Sequence, residues 1–188
     1  MRASALKFTK DVLIEYLRGF LANYENYSNF CPKDYSKLAG VYDIEPNEQR
    51  KFPLVIITGS SGQVITGGLQ DFVEELYDEV GDLRAYRYGG MYEFNITINI
   101  ATKSTLDREQ FSDLVAMALR VLIKRHIERE GIIIKDMRYG GESETTYDSD
   151  KIYIGSIQFT TWSQWYQDIN LLDIGKINLE FDDRNLEI

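Results

Sequence analysis

The feature that most constrains the fold of this chain is a strictly alternating stretch near its middle. Every second residue there is apolar, and the residues between them are Glu, Asn or Thr. The apolar positions are Tyr92, Phe94, Ile96, Ile98 and Ile100. Because successive side chains of a strand point to opposite faces, this pattern predicts a strand with one apolar and one polar face.

Two other stretches have the periodicity of helices. The apolar face of the first is formed by Leu13, Tyr16, Leu17, Phe20, Leu21 and Tyr24. Thr9 is its expected N-cap. The apolar face of the second is formed by Phe111, Leu114, Val115, Ala118, Leu119, Leu122 and Ile123. This helix is expected to begin at Ser104 or Thr105 and to end before Gly131, a residue type that favours the position after a helix.

The remaining strands are expected at residues 52–58, 132–138 and 151–164. Residues 59–62 (GSSG) indicate a turn into a short returning strand, residues 71–80 indicate one or two helical turns, and Gly89-Gly90 indicates another turn. Residues 25–51 have no period and are expected to form a long connector. This order predicts an α+β fold, an antiparallel or mixed sheet with two main helices packed on one face.

The length of 188 residues fits a single domain, expected at 1–167, followed by an extended C-terminal arm or edge strand at 168–188. The net charge is −9, which disfavours binding to a phosphate backbone. The single cysteine, Cys31, indicates a reducing compartment, and no apolar stretch predicts export or a membrane span.

The search for a catalytic site yields no catalytic, cofactor-binding or metal-binding residue, and we expect no enzyme and no cofactor. His126 has no companion nucleophile or ligand and is interpreted as a cation near the end of the second helix. The basic residues of that helix, interpreted in the same way, are Arg120, Lys124, Arg125 and Arg129. Four loop carboxylates form the weaker alternative of a metal-dependent hydrolase: Glu142, Glu144, Asp148 and Asp150.

Aromatic and apolar residues towards the C-terminus are the candidates for an interface with other proteins. One group, Trp162, Trp165 and Tyr166, lies at the end of the last predicted strand of the domain. The other group, Ile177, Leu179 and Phe181, alternates within the acidic arm. Such an arm either pairs with its own sheet or adds to the sheet of another chain, and the sequence leaves both possibilities open.

Three sequence blocks together carry a resemblance to a known family. They are FPLVIITG, YRYGGMYEFNITINIATKSTLDREQFSDLVAMALRVLI and IYIGSIQFTTWSQWYQDI, within residues 9–168. This pattern resembles the tail terminator (neck) proteins of long-tailed bacteriophages. The resemblance implies a structural virion protein that is assembled in the host cytoplasm and lies at the head–tail junction.

The resemblance also implies a set of partners. It implies a homo-oligomeric ring, usually a hexamer, that caps the tail tube and contacts tube or sheath proteins and the head-side connector protein. DNA passes through the lumen of such a ring without specific binding. Another virion part, a baseplate or head-completion protein, is the main alternative, because similar folds serve in several such positions.

Overall fold

The computed structural model describes residues 5–22, 40–43, 52–65 and 72–170 of the chain. Its elements are α1 (Ala5–Ala22), β1 (Gly40–Tyr42), β2 (Leu54–Ile65), β3 (Phe72–Tyr77), β4 (Leu83–Thr102), α2 (Thr105–Met117), α3 (Lys124–Arg129), β5 (Ile132–Tyr147) and β6 (Asp150–Asn170). A π-helical segment, Ala118–Leu122, lies between α2 and α3. The predicted α+β class is confirmed.

The described strands form one mixed sheet in the order β1-β2-β4-β6-β5, with β3 also paired to β4. β1 pairs in parallel with β2, whereas β5 pairs antiparallel with β6 and β3 antiparallel with β4. Of the two sheet types left open by the sequence, the mixed one is therefore observed. β1 lies inside the stretch 25–51, which was predicted to be a connector without strands.

Contacts between residues group the chain into two compact units. The larger one, called the helical unit, contains the described residues 5–22, 40–43, 52–63 and 93–163. The smaller one, called the strand unit, contains the described residues 64–65, 72–92 and 164–170. β6 continues to Asn170, beyond the boundary at residue 167 that the sequence suggested between domain and arm.

In the helical unit, both main helices pack on the same face of the sheet. The Thr9 hydroxyl of α1 is 2.7 Å from the Ser163 hydroxyl of β6. Ser112 of α2 lies directly over Gly155 of β6, where an added Cβ atom would be 2.9 Å from the Ser112 hydroxyl oxygen. Positions 155 and 163 are an even number of residues apart, so they lie on one face of β6. The predicted placement of the helices is confirmed.

The core of the helical unit lies between these helices and the sheet. The alternating stretch supplies part of it, because Phe94, Ile96, Ile98 and Ile100 are buried while the residues between them are half-buried or exposed. The largest fully buried side chains are Phe111, Leu13, Leu17, Leu21, Leu54, Ile57, Ile96, Ile98, Ile100, Leu114, Leu119 and Ile127. Burying each such side chain stabilises the fold by about 1.5–3 kcal/mol.

The second predicted helix is interrupted. Its beginning is as expected, because the Asp107 amide donates to the Ser104 side chain at 3.5 Å and Ser104 has an extended backbone. Gly131, with φ of 77°, follows the last helical turns as predicted. Between these ends, the Ile123 amide donates to the Ala118 carbonyl at 2.9 Å, a bond that spans five residues. This π-type bond separates α2 from α3, and apolar spacing gives no signal for it.

Thr9 is not the N-cap of α1, because the helix already includes Ala5. Its side chain is buried, and its hydroxyl donates to the Ala5 carbonyl at 2.9 Å while contacting Ser163. A threonine can satisfy its hydroxyl on the preceding turn of its own helix, so a capping residue type inside a helix is tolerated. The partner on β6 is distant in sequence and was not predictable from local pattern.

Three segments that were expected to be turns or helical turns are strands instead. Residues 59–62 lie inside β2, Gly89-Gly90 lies inside β4, and residues 72–77 of the expected helical segment form β3. The glycines serve close approach between strands. A Cβ atom at Gly62 would collide with the Glu93 carbonyl group. β3 pairs with β4 from Phe72 opposite Tyr88 to Tyr77 opposite Leu83.

β5 is longer than predicted and reaches Tyr147, so most of the expected polar connection is strand. A two-residue turn, Asp148-Ser149, joins it to β6, and both residues have positive φ, at 47° and 69°. Such values are typical of the tight turns that join antiparallel strands. Two irregularities, after Lys135 and after Tyr139, each insert an extra residue into β5 opposite a regular β6.

Candidate interaction surfaces

The strand unit has almost no core of its own. Among its described residues only Ala85 and Gly89 are buried. Its large exposed hydrophobic side chains are Val64, Phe72, Val73, Tyr77, Val80 and Tyr166. A sheet of a few strands needs a covered hydrophobic face for independent stability. The strand unit therefore presents apolar surface of the kind that marks protein interaction sites.

A charged cluster links three strands of this unit. The Arg87 guanidinium on β4 donates to Glu74 on β3 at 2.7 Å and to Asp168 on β6 at 2.7 and 3.1 Å. The hydrogen bond from Arg87 holds the pKa of the Asp168 carboxyl below its ordinary value. The guanidinium carbon of Arg87 also lies 5.9 Å from the centroid of the Tyr166 ring. These contacts connect side chains of the three strands.

Trp165 and Tyr166, two of the predicted interface residues, belong to the strand unit. Trp165 is half-buried and its ring centroid is 5.9 Å from that of Tyr92. Its indole N–H is buried and has no hydrogen-bond partner among the described residues. Leaving a buried donor unpaired costs about 1–3 kcal/mol, so a partner group there is physically favoured. Tyr166 is 56% exposed.

Trp162, the third of these residues, belongs to the helical unit and has partners within it. Its indole N–H donates to the Glu93 carboxylate at 3.0 Å. The Lys135 ammonium lies over the ring, 2.8 Å from its centroid. Trp162 is thus half-buried between a carboxylate and a cation of its own chain. Ile177, Leu179 and Phe181 lie outside the described residues.

A groove in the helical unit was missed by the sequence analysis. It has a volume of about 610 Å³ and is lined by Gln110, Asp113, Leu114, Ala116, Met117, Arg120, Val121 and Tyr139. We call it the α2–β5 groove. Val121 is 66% and Tyr139 60% exposed. The sequence gives one signal for this groove: Val121 is apolar although it lies outside the apolar face predicted for the second helix.

The wall of the α2–β5 groove contains a strong hydrogen bond. The Tyr139 hydroxyl donates to the Asp113 carboxylate at 2.6 Å. This bond, with a smaller effect of burial, raises the pKa of Tyr139 to about 12. Since the pKa in the folded protein lies above the ordinary value of 10.0, the stabilisation is complete below that pH and is lost as pH rises through about 12.

We expect Asp113→Asn to bring the pKa of Tyr139 back towards its ordinary value, because the neutral amide no longer favours the protonated phenol. An NMR pH titration of the tyrosine rings measures this, and Tyr139→Phe assigns the resonance. A Tyr139 titration that Asp113→Asn leaves unchanged contradicts the assignment of the cause.

Three of the four loop carboxylates considered for a metal site form ion pairs with basic side chains. Glu142 is 2.9 Å from Arg108, Glu144 is 2.6 Å from Lys151, and Asp150 pairs with Lys103. Within the part of the chain that the structure describes, no three His, Cys, Asp or Glu side chains are grouped to hold a metal ion.

The basic end of the second helix is exposed. His126 stacks on Tyr16 of α1, with ring centroids 5.8 Å apart and an angle of 25° between the planes. Lys124 pairs with Glu128 at 3.7 Å, while Arg120, Arg125 and Arg129 are exposed. The structure brings this region next to α1 and gives it a surplus of positive charge.

In comparisons with known proteins, neither a family model nor a curated sequence matches this chain. Among the described helices, none combines the length and the apolar character needed to cross a membrane.

Proposed function

We propose that this chain is a structural virion protein, a tail terminator that forms a ring at the head–tail junction of a long-tailed bacteriophage. In this function it caps the tail tube and joins the tube or sheath proteins to the head-side connector protein. It carries out no catalysis and needs no cofactor. Its ring is a homo-oligomer, with six copies as the expected number.

The strand unit is the observation that carries this proposal. Its described residues expose six large hydrophobic side chains and bury almost nothing. Surfaces of this kind gain stability when a second protein covers them, and aromatic residues are enriched in the centre of such interfaces. A ring subunit needs adhesive surface on two flanks, because each copy uses one surface to bind the complementary surface of the next.

The net charge of the chain supports a ring through which DNA passes without binding. With a net charge of −9, the protein repels the phosphate backbone of passing DNA. A ring around the path of the genome benefits from weak adhesion, since bound DNA cannot move through it. Specific DNA binding is therefore not part of the proposed function.

Assembly of the purified full chain tests the proposal. We expect mass photometry to show particles of about six times 21.8 kDa, and negative-stain electron microscopy to show rings with a central channel. Phe72→Glu combined with Tyr166→Glu is expected to abolish these rings, because each introduces a charge into apolar surface of the strand unit. Leu106→Glu, on a residue 59% exposed in the helical unit, is the matched control.

If the chain stays monomeric at all accessible concentrations, the proposed ring is contradicted. Position in the virion needs a separate measurement, because the same surface suits a baseplate or head-completion protein. Immunogold labelling of virions with an antibody to this chain is expected to mark the neck. Labelling at the distal end of the tail contradicts the terminator function, although the chain would still be a virion protein.

A further inference from the structure

We propose that the α2–β5 groove receives the C-terminal segment, residues 171–188, of a neighbouring copy of this chain. The inference deepens the proposed ring and rests on it, because it needs two copies in contact. It assigns a binding surface to the helical unit, and it gives the C-terminal segment a site and a chemistry of recognition.

The composition of the segment shows why it needs a site. Its large apolar residues are Leu171, Leu172, Ile174, Ile177, Leu179, Phe181, Leu186 and Ile188. Its charged residues are Asp173, Glu180, Asp182, Asp183 and Glu187 against Lys176 and Arg184. A segment so rich in apolar side chains is stabilised by burial, and its negative charge selects a surface that carries positive charge.

The α2–β5 groove has the complementary properties. Its exposed apolar side chains, Val121 and Tyr139, offer burial to the side chains of an incoming segment. Arg120 lines the groove and is close enough to Tyr139 to act on the pKa of its phenol. Exposed Lys124 and Arg125 follow within about one helical turn of Arg120. The one carboxylate in the lining, Asp113, accepts a hydrogen bond from the Tyr139 hydroxyl and keeps its negative charge. The surplus of positive charge therefore comes from the exposed basic residues that follow Arg120 along the chain.

Polar groups of the groove fit an extended chain. The side-chain oxygen of Gln110, a residue that lines the groove, is buried and has no hydrogen-bond partner among the described residues. Rotation of this side chain into the groove offers an acceptor to a backbone N–H of the segment. β5 is the last strand in the sheet order of the described residues, but two bulges interrupt it around Tyr139. Bulges oppose a regular added ladder, so the segment is held mainly by its side chains.

The alternation in the segment matches this mode of binding. Alternate residues of any extended chain lie on opposite sides, so the spacing of Ile177, Leu179 and Phe181 gives such a chain one apolar side, with Glu180 and Asp182 on the other. The apolar side therefore enters the groove. The acidic side is left at the mouth of the groove, where the positive charge of the nearby basic residues attracts it. Exchange of such segments around a ring links each copy to the next and adds avidity to the contacts of the strand unit.

Cross-linking between introduced cysteines tests the site and the copy that supplies the segment. In a Cys31→Ser background, full-length Val121→Cys is mixed with full-length Phe181→Cys and treated with a short bismaleimide. We expect a cross-linked pair of chains in a denaturing gel. Leu106→Cys mixed with Phe181→Cys is the control, since Leu106 lies on α2 without lining the groove, and it is expected to give no pair.

The double variant Val121→Cys with Phe181→Cys in one chain separates the alternatives. A cross-link only within single chains shows that the segment occupies its own groove and overturns exchange between copies. No cross-link in either experiment overturns the docking itself. Mass photometry on the same samples measures ring formation independently. A cross-linked pair of chains without rings contradicts the proposed function but supports docking of the segment in the groove.

Hydrogen exchange gives a second measurement that uses no added thiol. In the full chain, Val121→Glu is expected to speed amide exchange in residues 171–188, because a carboxylate in the groove repels the acidic segment. Leu106→Glu is expected to leave that exchange unchanged. Equal exchange in both variants and the parent chain contradicts the proposal.

Discussion

Phe111→Ala is expected to reduce the free energy of unfolding by about 3–5 kcal/mol, the usual range for removing a buried aromatic ring. Phe111 lies on α2, is 1% exposed, and is one of the largest side chains of the core. The loss combines the transfer of the ring into water with the cavity left between helix and sheet. Because a folded domain is stabilised by only about 5–15 kcal/mol in total, the variant is expected to lose a large part of its free energy of unfolding.

Chemical denaturation followed by circular dichroism measures this effect. Leu106→Ala is the matched control on the same helix, because Leu106 is 59% exposed, and it is expected to change stability by about 0.5 kcal/mol or less. Equal effects of Phe111→Ala and Leu106→Ala on stability contradict the described packing of α2 on the sheet.

Gly89→Val is expected to destabilise the strand unit by about 1–3 kcal/mol, the typical cost of forcing atoms into a filled space. Gly89 is buried inside β4. A Cβ atom there would lie 2.7 Å from the Tyr166 ring and 2.9 Å from the Trp165 carbonyl oxygen. The carbonyl belongs to the backbone of β6 and cannot move aside without disturbing the pairing of these strands.

Hydrogen exchange of residues 72–92 measures this loss, since the effect is expected in the strand unit. Gly141→Val is the matched control, because Gly141 is also within a strand but has no atom within 4 Å of an added Cβ. Valine favours strands, so this control is expected to be neutral or slightly stabilising. Faster exchange in the Gly141 variant than in the Gly89 variant contradicts the close packing of β4 on β6.

Local pattern was sufficient for the elements whose signal repeats over several turns or residues. The periodicity of α1, the Ser104 cap of α2 and the alternation from Tyr92 to Ile100 each depend on neighbours within a few positions in sequence. The resulting α+β class, with two main helices on one face, followed from burying one apolar face of each element. These features are determined by the sequence because the spacing of apolar residues favours one local structure along the whole of each element.

Glycine-rich stretches were misread because the same residue type serves two different purposes. Gly62 and Gly89 permit turns, and they equally permit a second strand to come close. Only the position of Glu93 beside the first and of Tyr166 beside the second decides between these uses. Residues 72–77 are a strand for a related reason, since pairing with β4 outweighs a weak helical tendency.

The candidate surfaces depended still more on tertiary structure. The sequence grouped Trp162 with Trp165 and Tyr166, but only the fold sets Glu93 and Lys135 around the Trp162 indole. It likewise brings Tyr139 of β5 to Asp113 of α2, forming a groove from residues far apart in the chain. The sequence by itself determined which faces of the long elements are apolar, because that depends on spacing alone. The tertiary structure decided which polar and aromatic groups meet, because their contacts depend on strand order and register.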